Sequence, residues 1–258
     1  MGQIYDLDVV EAMESLFDAD GATDFSWVPT IALMVCLVFY NLLANRWPPF
    51  NRALYVPMNL ALGAAVVAFG WVALDVGRRD IFGAAAPYAL EKGILMGAVV
   101  AAPLFLALIW PRTAKLVADE RVGHLAGAGL LYQVLIRIPL GTAALEEVAF
   151  RGVVFSALRD LGDVQAALVS SITFGLWHIG PTINLVRANR SNASVRTIVS
   201  VITGAVLFTT AAGLVFVWMR LETNLVGAIA LHATVNGLGT LAAVLARRRL
   251  GLGISSPR

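Results

Sequence analysis

Seven stretches of the chain stay apolar for about twenty residues at a time, the length a helix needs to cross the hydrocarbon core of a bilayer. They are Ser26–Ala44, Ala53–Leu74, Gly93–Trp110, Pro139–Leu158, Val164–Ile183, Thr197–Met219 and Asn224–Ala246. In lipid the backbone must satisfy its own hydrogen bonds, so such stretches can only be helices packed on one another. The totals point the same way: 59% of the 258 residues are hydrophobic and 14% are charged, against about 25% charged in a soluble domain. The expected fold is therefore all-α, a polytopic integral membrane bundle of seven to eight transmembrane helices. It divides into an acidic N-terminal segment (1–26), a single transmembrane domain (27–246) and a basic C-terminal tail (247–258).

The ends carry their own information. Residues 1–26 hold seven acidic side chains and no Lys or Arg, the reverse of a secretory n-region, so the first apolar run reads as a retained span. Arg247–Arg249 reads as an anchor at the lipid surface, not as a nucleic-acid contact. The single cysteine, Cys36, rules out an internal disulfide and is expected to be a buried, inert thiol. Val122–Ile138 is apolar enough to enter the membrane, but Arg137 leaves no room for a loop before Pro139. It is expected to be an interfacial or re-entrant helix feeding the fourth span, with an eighth span as the alternative. With seven spans, one side collects twelve Lys and Arg residues and the other five, which predicts the N-terminus outside and the C-terminus in the cytoplasm.

Once the loops are set aside, of 36 charged residues only Glu146, Glu147 and Arg151 fall well inside a span, and His178 and His232 join them. An ionisable group at bilayer depth costs at least ~2.5–3.5 kcal/mol, so such a group is a functional hypothesis by default. Glu147 and Arg151 are four apart and can pair on one helix face, while Glu146 points about 100° away. Phe174 and His178 share a face at the same spacing, with Ser170 one turn back, and so do His232 and Asn236. Three helices thus offer polar stripes to one interior. By helical rise, Glu146 and His178 lie ~10 and ~8 Å from the cytoplasmic ends of their spans, against ~15 Å for Asn236 and ~21 Å for His232. The depths do not match, and the site is expected to open toward the cytoplasm.

Glu146-Glu-Val-Ala-Phe-Arg151, Phe174-Gly-Leu-Trp-His178 and His232-Ala-Thr-Val-Asn236, in that order on successive apolar helices, resemble the three motifs of the CAAX-protease and bacteriocin-processing (CPBP, or Abi) family. Its eukaryotic relatives are the Rce1-type prenyl-protein endopeptidases. The resemblance covers about residues 125–245 and implies a glutamate-dependent intramembrane endopeptidase that needs no cofactor. It implies that Glu146, aided by His178, activates a water, that His232 and Asn236 stabilise the oxyanion, and that Glu147 and Arg151 hold the geometry, with Phe174 supporting. A carboxylate withdrawn from water titrates nearer neutrality, where a general base works best, and donors gain strength where water is excluded. The partners implied are a membrane-associated protein or peptide substrate and the bilayer. Other readings stay open: a zinc metalloprotease using two histidines and a glutamate, although the HExxH spacing is absent; a proton-coupled transporter; or a non-catalytic scaffold or immunity protein. Trp177 is expected to be packing or cavity wall, and Gly180-Pro181 to end or kink the fifth helix.

Overall fold

The computed structural model describes residues 27–44, 54–189 and 192–252. The acidic N-terminal segment, Arg46, Arg52, Arg190 and Arg258 lie outside them. Every regular element among the described residues is helical: α1 (Trp27–Ala44), α2 (Tyr55–Ala73), the short α3 (Arg78–Phe82), α4 (Ala89–Leu106), the short α5 (Pro111–Val117), α6 (Gly127–Ala157), α7 (Asp163–Trp177), α8 (Ile179–Asn189), α9 (Val195–Glu222) and α10 (Leu225–Arg249). Six runs are long and apolar enough to cross a membrane, α7 and α8 together counting as one; α1 is a shorter apolar helix. Their outer faces show bare hydrocarbon, as at Val72, Val99 and Phe208, which are 88%, 68% and 71% exposed. In water this would be an aggregation surface; in lipid it is the ordinary outer face of a bundle. Cys36 belongs to that outer face: it is exposed on α1, not buried as the sequence predicts. An apolar helix buries only one stripe, and Leu33 and Leu37 occupy the one on α1.

Val122–Ile138 is not a separate re-entrant helix. Residues 127–157 form one helical run, with only a short turn at Glu120–Val122 before it. Pro139 lies within this run. Lacking an N–H, it removes one rung of the ladder, and the helix answers by widening instead of breaking. Over Gln133–Ala143 and again over Val148–Val154 the hydrogen bonding shifts to i→i−5, as in Ala144 N–H to Pro139 O.

Polar contacts gather at two ends of the bundle. At one, Arg247 pairs with Glu120 (2.6 Å), Asn189 donates to Asp119 (3.0 Å) and Arg249 donates to the Ile109 carbonyl (2.8 Å). At the other, Arg220 donates to the Asp80 carbonyl and to Ser156 (3.2 Å), and Asn224 donates to the Ala84 carbonyl (3.2 Å). Loops therefore alternate between the ends as an even succession of crossings requires. Arg247–Arg249 form the last turn of α10.

The helix that carries His232 is seated by α4. Gly93, Gly97 and Ala101 are buried at four-residue spacing along α4. A Cβ at Gly93 would stand 2.4 Å from the Gly227 carbonyl oxygen, and one at Gly97 would stand 2.6 Å from Thr234 Cβ. Small residues at this spacing let two membrane helices approach to backbone contact. Asn224 caps α10, its Oδ1 accepting from Val226 N (3.0 Å) and Gly227 N (3.3 Å).

Candidate active site

The middle of α6 carries the two carboxylates. Glu147 is fully buried, and its Oε1 accepts from Arg151 Nη1 at 3.2 Å and from His232 Nδ1 at 2.7 Å. Arg151 is fully buried too, its guanidinium carbon 4.0 Å from the centre of the Phe174 ring and 5.0 Å from that of Phe216. Planar and weakly hydrated, a guanidinium is the cation best suited to such aromatic walls. Helix α9 comes this close because Gly213 lacks a side chain: a Cβ there would stand 2.9 Å from Arg151 Nη2.

Helix α7 is docked on α6 by Ser170, whose hydroxyl donates to the Phe150 carbonyl at 2.7 Å. It ends at Trp177, and His178 caps it. Pro181, three residues on, has no N–H for the Trp177 carbonyl, so the ladder breaks here. The His178 N–H turns to the Gly175 carbonyl (3.1 Å) instead of that of Phe174, and Thr182 N–H to the His178 carbonyl (2.9 Å) restarts the helix as α8. The freed Phe174 carbonyl is taken by the His178 ring itself, Nδ1 lying 2.8 Å away. A carbonyl only accepts, so Nδ1 carries a hydrogen. His232 follows the same logic: its Nδ1 faces a carboxylate oxygen and donates to it. Its ring stacks on Phe216, with centroids 4.7 Å apart and planes at 16°.

Glu146 stands where these elements meet. Its Oε1 accepts from Trp177 Nε1 at 3.2 Å. Its Oε2 makes no hydrogen bond among the described residues and lies 3.8 Å from His232 Nε2 and 4.0 Å from His178 Nε2. Those separations exceed a hydrogen bond. The walls are aromatic: Phe150, Phe174 and Trp177 meet edge to face. The site therefore offers one carboxylate oxygen and two imidazole nitrogens pointed at a common spot, beside a second carboxylate wholly engaged in an ion-pair network.

Six of the seven residues singled out from sequence, Glu146, Glu147, Arg151, Phe174, His178 and His232, are brought together. Asn236 sits half-buried one turn along α10, its carbonyl accepting from Thr240, with no side-chain hydrogen bond to Glu146 or the histidines among the described residues. The depth mismatch disappears. Because α6 begins at Gly127 and α10 runs to Arg249, Glu146 and His232 both lie roughly 25–29 Å of helical rise from that end. Two contributors escape the sequence reading. Trp177 is more than wall, and its signal is the indole N–H, which inside a membrane needs a partner. Phe216 lies in α9 outside every motif, and nothing in its surroundings marks it.

Residues 128–238 match the family model described as Type II CAAX prenyl endopeptidase Rce1-like. That span runs from the start of α6 into α10 and takes in every residue of the site, leaving α1–α5 outside. No curated protein and no solved structure matches the chain.

Proposed function

We propose, for a chain whose residues 128–238 belong to the Rce1-like family of type II CAAX prenyl endopeptidases, that peptide hydrolysis runs on a water activated by Glu146. Membership of that family implies an intramembrane endopeptidase, and the apolar helices make the protein a multi-pass membrane protein. The glutamate mechanism rests on one observation above the others: Glu146 Oε1 is pinned by Trp177 while Oε2 is left facing two imidazole nitrogens.

A water between Glu146 Oε2 and His178 Nε2 meets two acceptors, so both its hydrogens are directed and a lone pair is turned outward. Glu146 takes one proton as the water oxygen attacks the substrate carbonyl. The carbonyl π pair moves onto oxygen, giving a tetrahedral oxyanion. Collapse of that intermediate breaks the C–N bond, and the proton held by Glu146 passes to the departing amine. His232, with the amide of Asn236 beside it, stabilises the oxyanion through Nε2–H. That role requires protons on both His232 nitrogens. Glu147 and Arg151 serve as the frame. Phe174 supports from both sides, its ring under Arg151 and its carbonyl on His178.

The substrate proposed is a membrane-associated protein or a peptide entering from lipid, cut near its C-terminus in CAAX-type or bacteriocin-related processing. No cofactor is required. The predicted topology puts the N-terminus outside and the C-terminus in the cytoplasm. Purified protein in detergent is to be tested against prenylated CAAX peptides and unmodified membrane peptides, with Glu146→Gln alongside and with chelator present or absent. Expected is cleavage that survives chelation and falls about 10²–10⁴-fold in Glu146→Gln, the variant remaining folded. Cleavage lost to chelator and restored by zinc overturns the metal-free mechanism. Cleavage retained in Glu146→Gln removes Glu146 from its role.

A further inference from the structure

We infer that α8 is a gate to the site, hinged beside His178 and latched at Asn189, and that a peptide reaches Glu146 once the latch is released. The inference rests on the endopeptidase reading above and concerns how that site is entered.

The open side of the site is the side of His178. Its side chain is 22% exposed, against 10% for Glu146, 3% for His232 and 0% for Glu147 and Arg151. Helix α8 starts at the next residue and so borders the approach to the free Glu146 oxygen. The chain is built to bend there. Pro181 leaves the ladder broken, and Gly180 beside it has the backbone freedom to absorb a rotation. His178 stays with α7 when α8 turns, because its ring holds the Phe174 carbonyl and its N–H holds that of Gly175. The hinge therefore moves α8 without moving the imidazole.

Helix α8 is lightly packed. It lies on α9 and buries only Thr182 and Val186 of its eleven residues, which places it at the low-stability end of the molecule. An amide holds its far end. Asn189 Nδ2 donates to Asp119 Oδ1 (3.0 Å) and to the Leu185 carbonyl of its own helix (3.0 Å), and its Oδ1 accepts from Glu120 N–H (2.9 Å). The turn that receives this amide is anchored in its own right. Glu120 Oε1 meets Arg247 Nη1 of α10 at 2.6 Å, and Arg121 braces Asp119 at 2.7 Å. The Asp119–Glu120 turn thus ties the end of α8 to the end of α10, the helix that carries His232 and Asn236.

The latch can open and close. Its bonds between Asn189 and the turn are exposed, so water replaces each one as it breaks and the net cost is small. Leverage does the rest. Asn189 lies roughly 16 Å of helical rise from His178, and a swing of about 25° at that radius carries it roughly 7 Å. An extended chain needs about 5 Å beside its neighbour.

The test uses the full chain in detergent, with Cys36→Ser throughout so that introduced cysteines react alone. In Asp119→Cys/Asn189→Cys a short bis-methanethiosulfonate bridges the two thiols, and dithiothreitol removes the bridge. Turnover of a prenylated CAAX peptide is expected to fall about tenfold or more on bridging and to return on reduction. Equal turnover by bridged and reduced protein overturns the gate and leaves the peptidase reading intact. A second measurement needs no catalysis. Nitroxides at Arg187→Cys and Arg248→Cys, exposed in the last turns of α8 and α10, report the separation of the two helix ends by double electron–electron resonance. One separation is expected with the latch intact, and a second, about 5 Å or more longer, once Asn189→Ala is added. An unchanged distribution in Asn189→Ala overturns the gate. A separation that lengthens while no form cuts any peptide counts against the peptidase reading and leaves the gate standing.

Discussion

Two ion pairs with the same four-residue spacing stand barely three turns apart in the chain. Glu147 and Arg151 pair at 3.2 Å with both side chains fully buried; Arg159 and Asp163 pair at 2.7 Å with their side chains 40% and 55% exposed. The shorter bond is the less consequential one. At the bundle's end water solvates either charge alone, so the pair adds little. In the middle of α6 the alternative to pairing is a naked charge among phenylalanines, and the pair is obligatory once either member is present. Spacing makes an ion pair available, and environment decides what it is worth.

The largest effect expected from breaking that contrast follows from Arg151→Ala, which strands Glu147 and should cost about 3–5 kcal/mol of stability, seen as a much lower midpoint of thermal unfolding in detergent. The double variant Glu147→Gln/Arg151→Met sharpens it. Removing both charges should recover most of that stability while activity stays lost, because His232 then has no carboxylate to hold its Nδ1. A double variant as unstable as Arg151→Ala would show that packing, not charge, sustains the region. Next comes Gly97→Val, which drives a side chain into Thr234 and should cost about 1–3 kcal/mol; since α10 carries His232, kcat should drop as well. Trp177→Phe keeps the ring but removes the N–H on Glu146 Oε1, and a loss of about 1–2 kcal/mol in transition-state stabilisation, roughly tenfold in kcat, is expected with KM little changed. Smallest is Arg159→Ala, about 0.5 kcal/mol or less; a loss comparable to that of Arg151→Ala would erase the distinction between the two pairs.

Much of this was readable without coordinates, and particular residues show why. Glu146, Glu147, Arg151, His178 and His232 stand out because bilayer depth makes each of them expensive, so a few charges on an apolar background carry their own signal. Trp177 and Asn189 do not stand out in the same way. An aromatic residue is unremarkable in a span, and Asn189 falls where composition reads only a loop. The continuous course of α6 through Pro139 also escapes pattern reading, because a missing N–H usually ends a helix and here widens it.

Length and apolarity of the runs fix that this chain must be a helical bundle in lipid, since no other backbone satisfies its hydrogen bonds there. Three motif spacings fix which side chains share a face. Tertiary structure alone decides which oxygen of Glu146 is pinned and which is free, because that depends on an indole arriving from another helix. It decides that a glycine-lined contact with α4 sets the position of His232, and that a turn before α6 holds the end of α8. Local sequence sets the period of a helix, and contacts between helices set where each side chain comes to rest.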